Sequence, residues 1–363
     1  MVVDDMPRWN DLARAEEEVR IAPTIDVVVK SGRLNSTVLG LDIGTSRICL
    51  AQKAGDKFQY NTQLNAFVTI PFSNMTESML KKAQIPHELN GSNIVVYGTE
   101  SGTFADMLNV DTRRTMDLGL LNANEPNSLD VIRQILSSMV EDGSSHKICF
   151  TVPAAPLGSQ QGISYHQQTL TNLLTELGHD VFSVNEGLAV VYAELAESNF
   201  TGIGISCGGG LCNVCLAHLS MPALSFSINK GGDYIDNSAA SLTGERPNRI
   251  RLIKEQSFDL NTQYSDKTCQ VIGLYYDEVI LSLVKGMKAA ILEAGVRPKL
   301  NRPIPLVLSG GTASPLGFRD RFEKVLMKED FPIALSCIRI AKDPLQTAAK
   351  GALVAALSEP SSR

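Results

Sequence analysis

The first recognisable element of the chain is an apolar run that turns back on itself. Residues 36–45 (STVLGLDIGT) are rich in β-branched and aliphatic side chains, and residues 46–52 (SRICLAQ) resume an apolar strand after a short turn. Apolar runs separated by Gly and small polar residues are typical of two adjacent strands. The pattern therefore predicts a β-hairpin with a polar tip.

Strand and helix signals then alternate along the first half of the chain. A helical stretch over 127–141 leads to the apolar strand 147–152, a long helix over about 159–178 and a second strand at 181–184. Two strands joined by a helix pair in parallel, and the helix covers a face of their sheet. The order predicts a βαβ unit.

The second half repeats the arrangement of the first. The strand 201–206 ends in a glycine run at 208–210, and the strands 212–218 and 223–228 follow. The remaining elements are predicted as helices at 187–197, 233–242, 246–255 and 274–295, a strand at 305–308 and a closing helix at about 344–357. The repeated order of elements in the two halves indicates a duplicated α/β unit rather than a solenoid.

These elements divide the chain into four parts. We expect an N-terminal extension over 1–37, a first lobe over 38–198 with a small inserted subdomain at about 60–110, a second lobe over 199–340, and a C-terminal helix over 341–363 that returns to the first lobe. Within the extension, residues 7–20 place apolar side chains at helical spacing among acidic ones. This helix fits either a docking arm for a protein partner or a solvated tail.

Composition and charge exclude several classes of protein. The chain has 363 residues and a net charge of −6, without the basic excess of proteins that bind the phosphate backbone, so we expect no nucleic-acid partner. It contains no apolar run long enough to span a bilayer and no basic, then apolar, leader at its start. We therefore expect a cytoplasmic protein whose membrane contact is absent or indirect.

The seven cysteines sit mostly inside apolar runs, as Cys49, Cys149 and Cys337 do, and this is typical of buried, reduced thiols. Cys207, Cys212 and Cys215 have a spacing that superficially suggests a metal site. A zinc site needs four ligands, and strand alternation puts neighbouring residues on opposite faces. Core packing is the favoured interpretation of this trio.

Three glycine-containing turns carry the candidate chemistry. They are residues 42–47 (DIGTSR), 206–211 (SCGGGL) and 308–312 (LSGGT). Backbone N–H groups can cradle phosphate oxygens only where no Cβ blocks their approach, so phosphate-binding loops are glycine-rich. Each turn alone also fits a plain hairpin, whereas all three in this order favour a nucleotide site.

Several motifs together resemble those of the actin-like ATPase superfamily. In chain order they are LGLDIGTSR (39–47), VNEGLAVVYAEL (184–195), GISCGGG (204–210), NKGGDYID (229–236), TGERPNRIRLIKE (243–255), VLSGGT (307–312) and DPLQTAAKGALVAA (343–356). The chain is most similar to bacterial actin-like proteins of the MreB type, and next to the nucleotide domain of the seventy-kilodalton heat-shock chaperones. The resemblance implies a two-lobed α/β fold, duplicated and ribonuclease-H-like, with a nucleotide cleft between the lobes.

The resemblance also assigns roles to individual residues. It implies ATP and Mg²⁺ as cofactors, with Asp42 orienting metal-bound water. The other implied ligands follow the order phosphate, ribose and base: Gly44, Thr45, Ser46, Gly208, Gly209 and Gly210 at the phosphates, Glu245, Lys254 and Glu255 at the ribose and adenine, and Gly310 and Gly311 beside the base.

The chain departs from the family pattern where hydrolysis is concerned. The second turn normally begins with an acidic residue, but Ser206 stands there. Losing one preorganised electrostatic group costs roughly 3–4 kcal/mol of transition-state stabilisation. The water-positioning carboxylate expected after residue 153 falls near the neutral Gln160 and Gln161, which leaves Glu186 as the best acidic candidate.

Three functions remain open at this point. The first is a filament-forming, ATP-dependent cytoskeletal protein with weak hydrolysis, whose main partner is a second copy of itself. The second is a nucleotide-gated scaffold or switch that does not hydrolyse, which the missing acid favours. The third is a chaperone-like ATPase, which ranks last because the sequence shows no substrate domain after the second lobe.

Deletion of residues 1–35 tests the docking-arm interpretation of the extension. We expect nucleotide binding to stay intact and assembly to change, because the three glycine turns lie outside the deleted segment. Pelleting and particle shape of the two proteins would be compared by sedimentation and electron microscopy. Unchanged pelleting and shape would contradict the interpretation.

Overall fold

A computed structural model describes residues 37–140, 143–158, 163–295 and 302–359. The predicted N-terminal helix lies outside the described residues, as do Gln160 and Gln161. Within the described part, none of the helices combines the length and the apolar character needed to cross a membrane.

The described residues form sixteen β-strands and ten α-helices, numbered here in chain order. The strands are β1 Val38–Ile43, β2 Arg47–Ala54, β3 Lys57–Leu64, β4 Ala66–Pro71, β5 His87–Asn90, β6 Asn93–Tyr97, β7 Arg113–Arg114, β8 Met116–Asp117, β9 Leu120–Leu121, β10 Lys147–Val152, β11 Asp180–Asn185, β12 Gly202–Cys207, β13 Cys212–His218, β14 Met221–Ile228, β15 Ile304–Ser309 and β16 Leu335–Ile340. The helices are α1 Asn74–Lys82, α2 Thr99–Leu108, α3 Ser128–Met139, α4 Ser164–Glu176, α5 Glu186–Glu194, α6 Gly232–Thr243, α7 Pro247–Ser257, α8 Lys267–Glu293, α9 Phe318–Lys328 and α10 Thr347–Ser358.

Two five-stranded sheets with the same topology form the body of the protein. Their strand orders are β11-β10-β1-β2-β3 and β14-β13-β12-β15-β16. In each sheet an antiparallel three-strand meander is extended by two parallel strands. One of them pairs with the first strand of the meander and the other pairs with that parallel strand at the sheet edge. The duplicated α/β fold predicted from the sequence is confirmed, with the two sheets as the centres of the two lobes.

Two helices cross between the sheets and pack through glycines. A Cβ on Gly351 of α10 would lie only 1.8 Å from the carbonyl oxygen of Ala189 in α5. The same helices lie directly on the sheets, since a Cβ on Gly40 of β1 would meet the Leu353 nitrogen of α10 at 2.2 Å. On the other side, a Cβ on Gly204 of β12 would meet the α5 backbone at 2.4 Å. The first lobe, the second lobe and the crossing helices are therefore one tightly packed unit.

A smaller sheet and a hairpin are inserted between β3 and α3. The small sheet has the order β5-β6-β4-β7 and is covered by α2, while β8 and β9 form a two-stranded hairpin. The glycine at the tip of that hairpin, Gly119, adopts a positive φ of 75°. This insertion brings residues 113–119 towards the space between the two large sheets.

Two sequence expectations about local structure need correction. Cys337 is exposed on the edge strand β16, whereas Cys49 and Cys149 are buried as expected. The helix expected at 274–295 begins earlier, at Lys267, because the Asp266 carboxylate accepts a hydrogen bond from the Cys269 amide at 2.9 Å and caps the helix.

Substitution of Gly351 tests the helix crossing. Gly351→Ala places a methyl group where the Ala189 carbonyl lies, and we expect a loss of about 1–3 kcal/mol or more, since two backbones would have to separate. The measurement is the denaturant midpoint of unfolding.

The matched control is Gly273→Ala in α8. A Cβ at Gly273 would have no neighbour within 4 Å, so this change should be neutral or stabilise by about 0.5–1 kcal/mol. Equal unfolding midpoints for the two variants would contradict the close crossing.

Candidate functional site

A cavity of about 690 Å³ lies between the two large sheets. All three glycine-containing turns singled out in the sequence line it. Of the residues predicted for the site, those on its wall are Asp42, Gly44, Thr45, Ser46, Glu186, Gly208, Gly209, Gly210, Lys254, Glu255, Gly310 and Gly311. Residues that are far apart in sequence are thus brought together by the duplicated fold.

The first turn, between β1 and β2, is held by a buried asparagine. The Gly44 amide donates to the Arg47 carbonyl at 2.9 Å, which closes the turn. Asn65 fixes it from behind, because its side-chain amide donates to the Gly44 carbonyl at 2.9 Å and its backbone amide to Ser46 at 3.0 Å. No sequence motif indicated Asn65, because its contacts with the turn exist only in the folded chain.

Two carboxylates face each other across the cavity wall. Asp42 ends β1 and accepts a hydrogen bond from the Thr151 hydroxyl at 2.5 Å, while Glu186 begins α5. Burial raises the pKa of Asp42, and the Thr151 hydroxyl opposes the shift. Burial also raises the pKa of Glu186, and the nearby Asp42 raises it further. The pair therefore holds protons more tightly than isolated carboxylates do.

Neutral side chains from the second lobe hold Glu186. The Asn213 amide donates to its carboxylate at 2.9 Å, and Ser206 also hydrogen-bonds it. Ser206 and Asn213 are direct cross-strand partners in the β12–β13 hairpin. Both groups are neutral, so the second lobe supplies hydrogen-bonding groups to Glu186 here instead of a negative charge.

The second turn packs against the first with no space for side chains. A Cβ on Gly209 would lie 2.3 Å from the Ser46 hydroxyl, and one on Gly210 would lie 2.5 Å from the Gly119 amide. The Gly119 amide in turn donates to the Thr45 hydroxyl at 3.2 Å. The tip of the inserted hairpin, which the sequence did not single out, is therefore part of the site.

The N-terminus of α6 and the third glycine turn hold the second turn through hydrogen bonds to its carbonyl groups. The amides of Gly232 and Asp233 donate to the Gly208 and Gly209 carbonyls at 3.0 and 2.8 Å. The Thr312 hydroxyl donates to the Gly208 carbonyl at 2.8 Å. These contacts orient the peptide planes of the second turn across the cavity wall.

Gly310 joins the second and third turns. It has a φ of 91°, and a Cβ there would lie 2.2 Å from the Cys207 carbonyl oxygen. A positive φ and a close backbone approach both require glycine at this position.

Helix α7 contributes charged residues whose partners differ from expectation. The Lys254 ammonium pairs with the buried Asp236 at 2.7 Å and donates to the Gly232 carbonyl at 2.8 Å. Glu255 pairs with Arg47 at 3.1 Å and so connects the second lobe to the first turn. Lys254 thus has a structural partner, which the motif alone did not reveal.

Glu245 was predicted at the ribose or adenine, but the structure does not bring it to the cavity. Gly244 ends α6 in the left-handed conformation and Pro247 begins α7, so Glu245 lies on the exposed connection between the two helices. Arg251, which none of the sequence motifs indicated, lines the cavity instead. One of its guanidinium nitrogens, Nη1, is buried without a hydrogen-bond partner among the described residues. Its position three residues before Lys254 on the same helix face was the available signal.

The carboxylates present suit a metal that arrives with phosphate groups. Among the described residues no cluster of three His, Cys, Asp or Glu side chains could hold a metal ion alone. Asp42 and Glu186 nevertheless offer two neighbouring carboxylates. Mg²⁺ is typically bound by one or two carboxylates together with waters and substrate phosphates. The donor set therefore fits Mg²⁺ bound to a nucleotide.

Replacement of Lys254 by Met tests the buried ion pair. Leaving Asp236 unpaired should cost about 3–5 kcal/mol at neutral pH. Burial already raises the pKa of Asp236 to about 6 although Lys254 lowers it. In Lys254→Met the pKa rises further, so the penalty should be largest above neutrality and shrink as the pH falls towards 5 and Asp236 takes up a proton.

The control for this measurement is Glu255→Gln, which removes an exposed pair on the same helix. It should change the free energy of unfolding by less than about 1 kcal/mol, with little dependence on pH. A penalty in Lys254→Met that does not change with pH would contradict the assignment.

Comparisons with known proteins agree with this geometry. The fold is similar to that of the MamK double helical filament, with a TM-score of 0.67 and 18% identity over 89% of this chain and 99% of that one. A non-polymerising mutant of MamK bound to AMPPNP gives 0.54 and 17%, over 90% of this chain and 99% of that one. The ethanolamine utilization protein EutJ from Carboxydothermus hydrogenoformans gives 0.54 and 14%, over 88% of this chain and 90% of that one.

These likenesses establish a two-lobed, actin-like fold close to that of bacterial actin-like proteins. No curated protein sequence matches the chain. The model of one protein family, described as Volactin, matches residues 38–356 and so includes both large sheets and every wall of the cavity. The chain is therefore a member of the Volactin family, with an actin-like fold.

Proposed function

We propose that this protein binds ATP with Mg²⁺ in the central cavity and assembles into filaments in an ATP-dependent manner, with weak hydrolysis. The observation that supports this most strongly is the convergence of three glycine turns, from both lobes, on one cavity of about 690 Å³. Such turns bind phosphate oxygens through backbone amides. A nucleotide held by both lobes would also favour closure of the lobes around the cavity. We expect the protein to act in the cytoplasm.

The placement of the nucleotide follows from the walls of the cavity. The phosphates would lie between the turns at 44–46 and 208–210, and the base beside Gly310 and Gly311. Arg251, whose Nη1 is buried without a partner in the part of the chain that the structure describes, is a donor that a phosphate or ribose oxygen could satisfy. Glu255 faces the cavity beside Arg47, whereas Lys254 is engaged with Asp236 and would act mainly by fixing the helix.

Glu186 is our candidate for positioning the attacking water. It borders the cavity next to Asp42 and is oriented by Asn213 and Ser206. When bound, Mg²⁺ would supply positive charge against the phosphate oxygens, and Asp42 would hold a water of its shell. Gln160 and Gln161, predicted for the same water, remain candidates that lie outside the described residues.

Self-assembly is supported by the likeness to the MamK filament and by exposed apolar side chains. The helices of the insertion carry three methionines, Met75 and Met79 on α1 and Met107 on α2, each at least 63% exposed. Exposed flexible apolar side chains favour contact with another protein surface. We propose that a second copy of this chain is that partner.

A non-hydrolysing, nucleotide-gated scaffold is the second candidate, because the second lobe offers Ser206 and Asn213 instead of an acid. A missing electrostatic group lowers the hydrolysis rate by two to three powers of ten, by analogy with a lost oxyanion donor. Binding and assembly would survive this loss, because they depend on the glycine turns.

One set of variants separates these functions. For the wild type we expect binding of a fluorescent ATP analogue, ATP-dependent and concentration-dependent pelleting, and slow phosphate release. Asp42→Ala should weaken binding and pelleting together. Glu186→Gln should still bind nucleotide and pellet, because Asp42 remains to hold the water of the metal shell. It should release phosphate up to about 10²-fold more slowly than the wild type.

The variant Ser206→Asp distinguishes the filament ATPase from the scaffold. The scaffold would be favoured if the wild type shows no measurable turnover and Ser206→Asp releases phosphate. Absence of nucleotide binding in the wild type would reject both functions. Binding without pelleting at any concentration would reject the filament.

A further inference from the structure

Two cysteines form a cross-strand pair at the base of the second glycine turn. Cys207 ends β12 and Cys212 begins β13, and the two are direct partners in the antiparallel ladder. Both are essentially inaccessible to solvent, at 0% and 1% exposure. The Cys207 thiol lies within hydrogen-bonding reach of the Cys212 sulfur.

The hydrogen bonds of the ladder define the type of this pair. The Gly208 amide donates to the Leu211 carbonyl at 2.8 Å, so that position is a hydrogen-bonded one. Hydrogen-bonded and non-hydrogen-bonded pairs alternate along an antiparallel ladder, which makes Cys207 and Cys212 a non-hydrogen-bonded pair. In such pairs the Cα atoms are about 4.5 Å apart, within the range of about 4.4–6.8 Å that disulfides span.

The other cysteine of the hairpin is excluded by strand alternation. Cys215 lies an odd number of residues from Cys212, so its side chain points to the opposite face of β13. There it packs against α5 with Ala189 and Val191, whereas Cys207 and Cys212 share the core of the second lobe. Cys215 is thus a buried thiol in the same strand that cannot join the pair.

Both cysteines contact the backbone of the other glycine segments. The Cys207 carbonyl lies against Gly310, as described above. The Cys212 thiol donates to the Lys230 carbonyl at 3.2 Å, directly before the Gly231–Gly232 segment that holds the second turn. A movement of either cysteine is therefore passed to the peptide groups that line the cavity.

We propose that Cys207 and Cys212 are a redox-modification site, where a peroxide converts the thiol pair into a reversible disulfide that deforms the second glycine turn. Bond formation draws the two sulfur atoms from non-bonded contact to about 2.05 Å. A Cα separation of about 4.5 Å is at the short end of the disulfide range, whose usual values are about 5.5–6 Å. The strands therefore move apart at the base of the turn, and the amides of the turn move with them.

The reaction balances with hydrogen peroxide as oxidant. One cysteine, as thiolate, attacks a peroxide oxygen, the O–O bond breaks, and a sulfenic acid and water are formed after proton uptake. The second thiol then attacks the sulfenic sulfur, which forms the S–S bond and releases a second water. Two thiols are oxidised and one peroxide is reduced. Burial and mutual contact disfavour the thiolate of Cys207, so the first step is slow at neutral pH.

The consequence for the cavity rests on the proposed nucleotide binding. The oxidised protein should bind a fluorescent ATP analogue about tenfold more weakly than the reduced protein, and a reductant should restore the affinity. Bound nucleotide should slow the oxidation, because it holds the second turn in place.

The site itself is tested by counting thiols on the full chain. After peroxide treatment and removal of the oxidant, the protein is denatured and alkylated with N-ethylmaleimide, and the intact mass of the monomer is measured. The reduced wild type carries seven labels, one for each cysteine. Oxidation should leave five labels, and treatment with dithiothreitol before alkylation should return seven.

Two single variants decide which cysteines are involved. Cys207→Ser should carry six labels before and after oxidation, because Cys212 has lost its partner. Cys215→Ser, the matched buried control, should fall from six to four. Seven labels in the treated wild type, or a loss of two labels in Cys207→Ser, would overturn the proposal.

The label count does not depend on any nucleotide, so it can fail or succeed separately from the proposed function. A five-label protein with unchanged nucleotide affinity would keep the disulfide and reject its effect on the turn. A five-label protein in which neither form binds nucleotide would reject the proposed function alone.

Discussion

The structure depends on one close contact, the crossing of α5 and α10 between the two large sheets. Gly351 lets the two helices approach until the Ala189 carbonyl occupies the space of a side chain. Gly40 and Gly204 let each helix settle directly on a sheet. Small residues at all these points bring the carboxyl ends of β1 and β12 to the same cavity. The distance between the first and second glycine turns is thus fixed by backbone contacts, which cannot adjust in the way that side chains can.

That cavity is chemically uneven. The second lobe adds Asp233, Asp236 and Glu255 to the cavity wall, but the pair formed by Asp42 of the first lobe and Glu186 of α5 meets neutral groups. The second lobe faces it with Ser206 and Asn213, which donate hydrogen bonds to Glu186 and carry no charge. Because Asp42 already raises the pKa of the buried Glu186, neutral hydrogen-bonding groups on the opposite wall hold Glu186 without adding repulsion. The same hairpin contains the Cys207–Cys212 pair, so the neutral wall of the site is also the wall that carries the cysteine pair.

Local patterns predicted the fold well but failed where side-chain partners decide the outcome. The hairpins, the βαβ unit and the duplication followed from apolar periodicity and glycine positions. The start of α8 did not, since it is set by the Asp266 cap, and neither did the exposure of Cys337 on an edge strand. At the site, Lys254 fitted the ribose motif, yet its ammonium group is held by Asp236. Glu245 fitted as well, but a left-handed Gly244 and Pro247 place it on an exposed connection.

The sequence by itself determined the order of the elements, the repeat of the α/β unit and the three glycine turns, because these depend on residues that are neighbours in the chain. Only the tertiary structure decided that Asn65, Gly119, Asn213 and Arg251 belong to the same site. These residues come from a strand connection, an inserted hairpin, a second-lobe strand and a helix. Apart from the helical spacing of Arg251 and Lys254, nothing local distinguishes them from ordinary surface or core positions. Their roles arise from long-range packing, which brings each one to a backbone group or carboxylate that it could not reach in an extended chain.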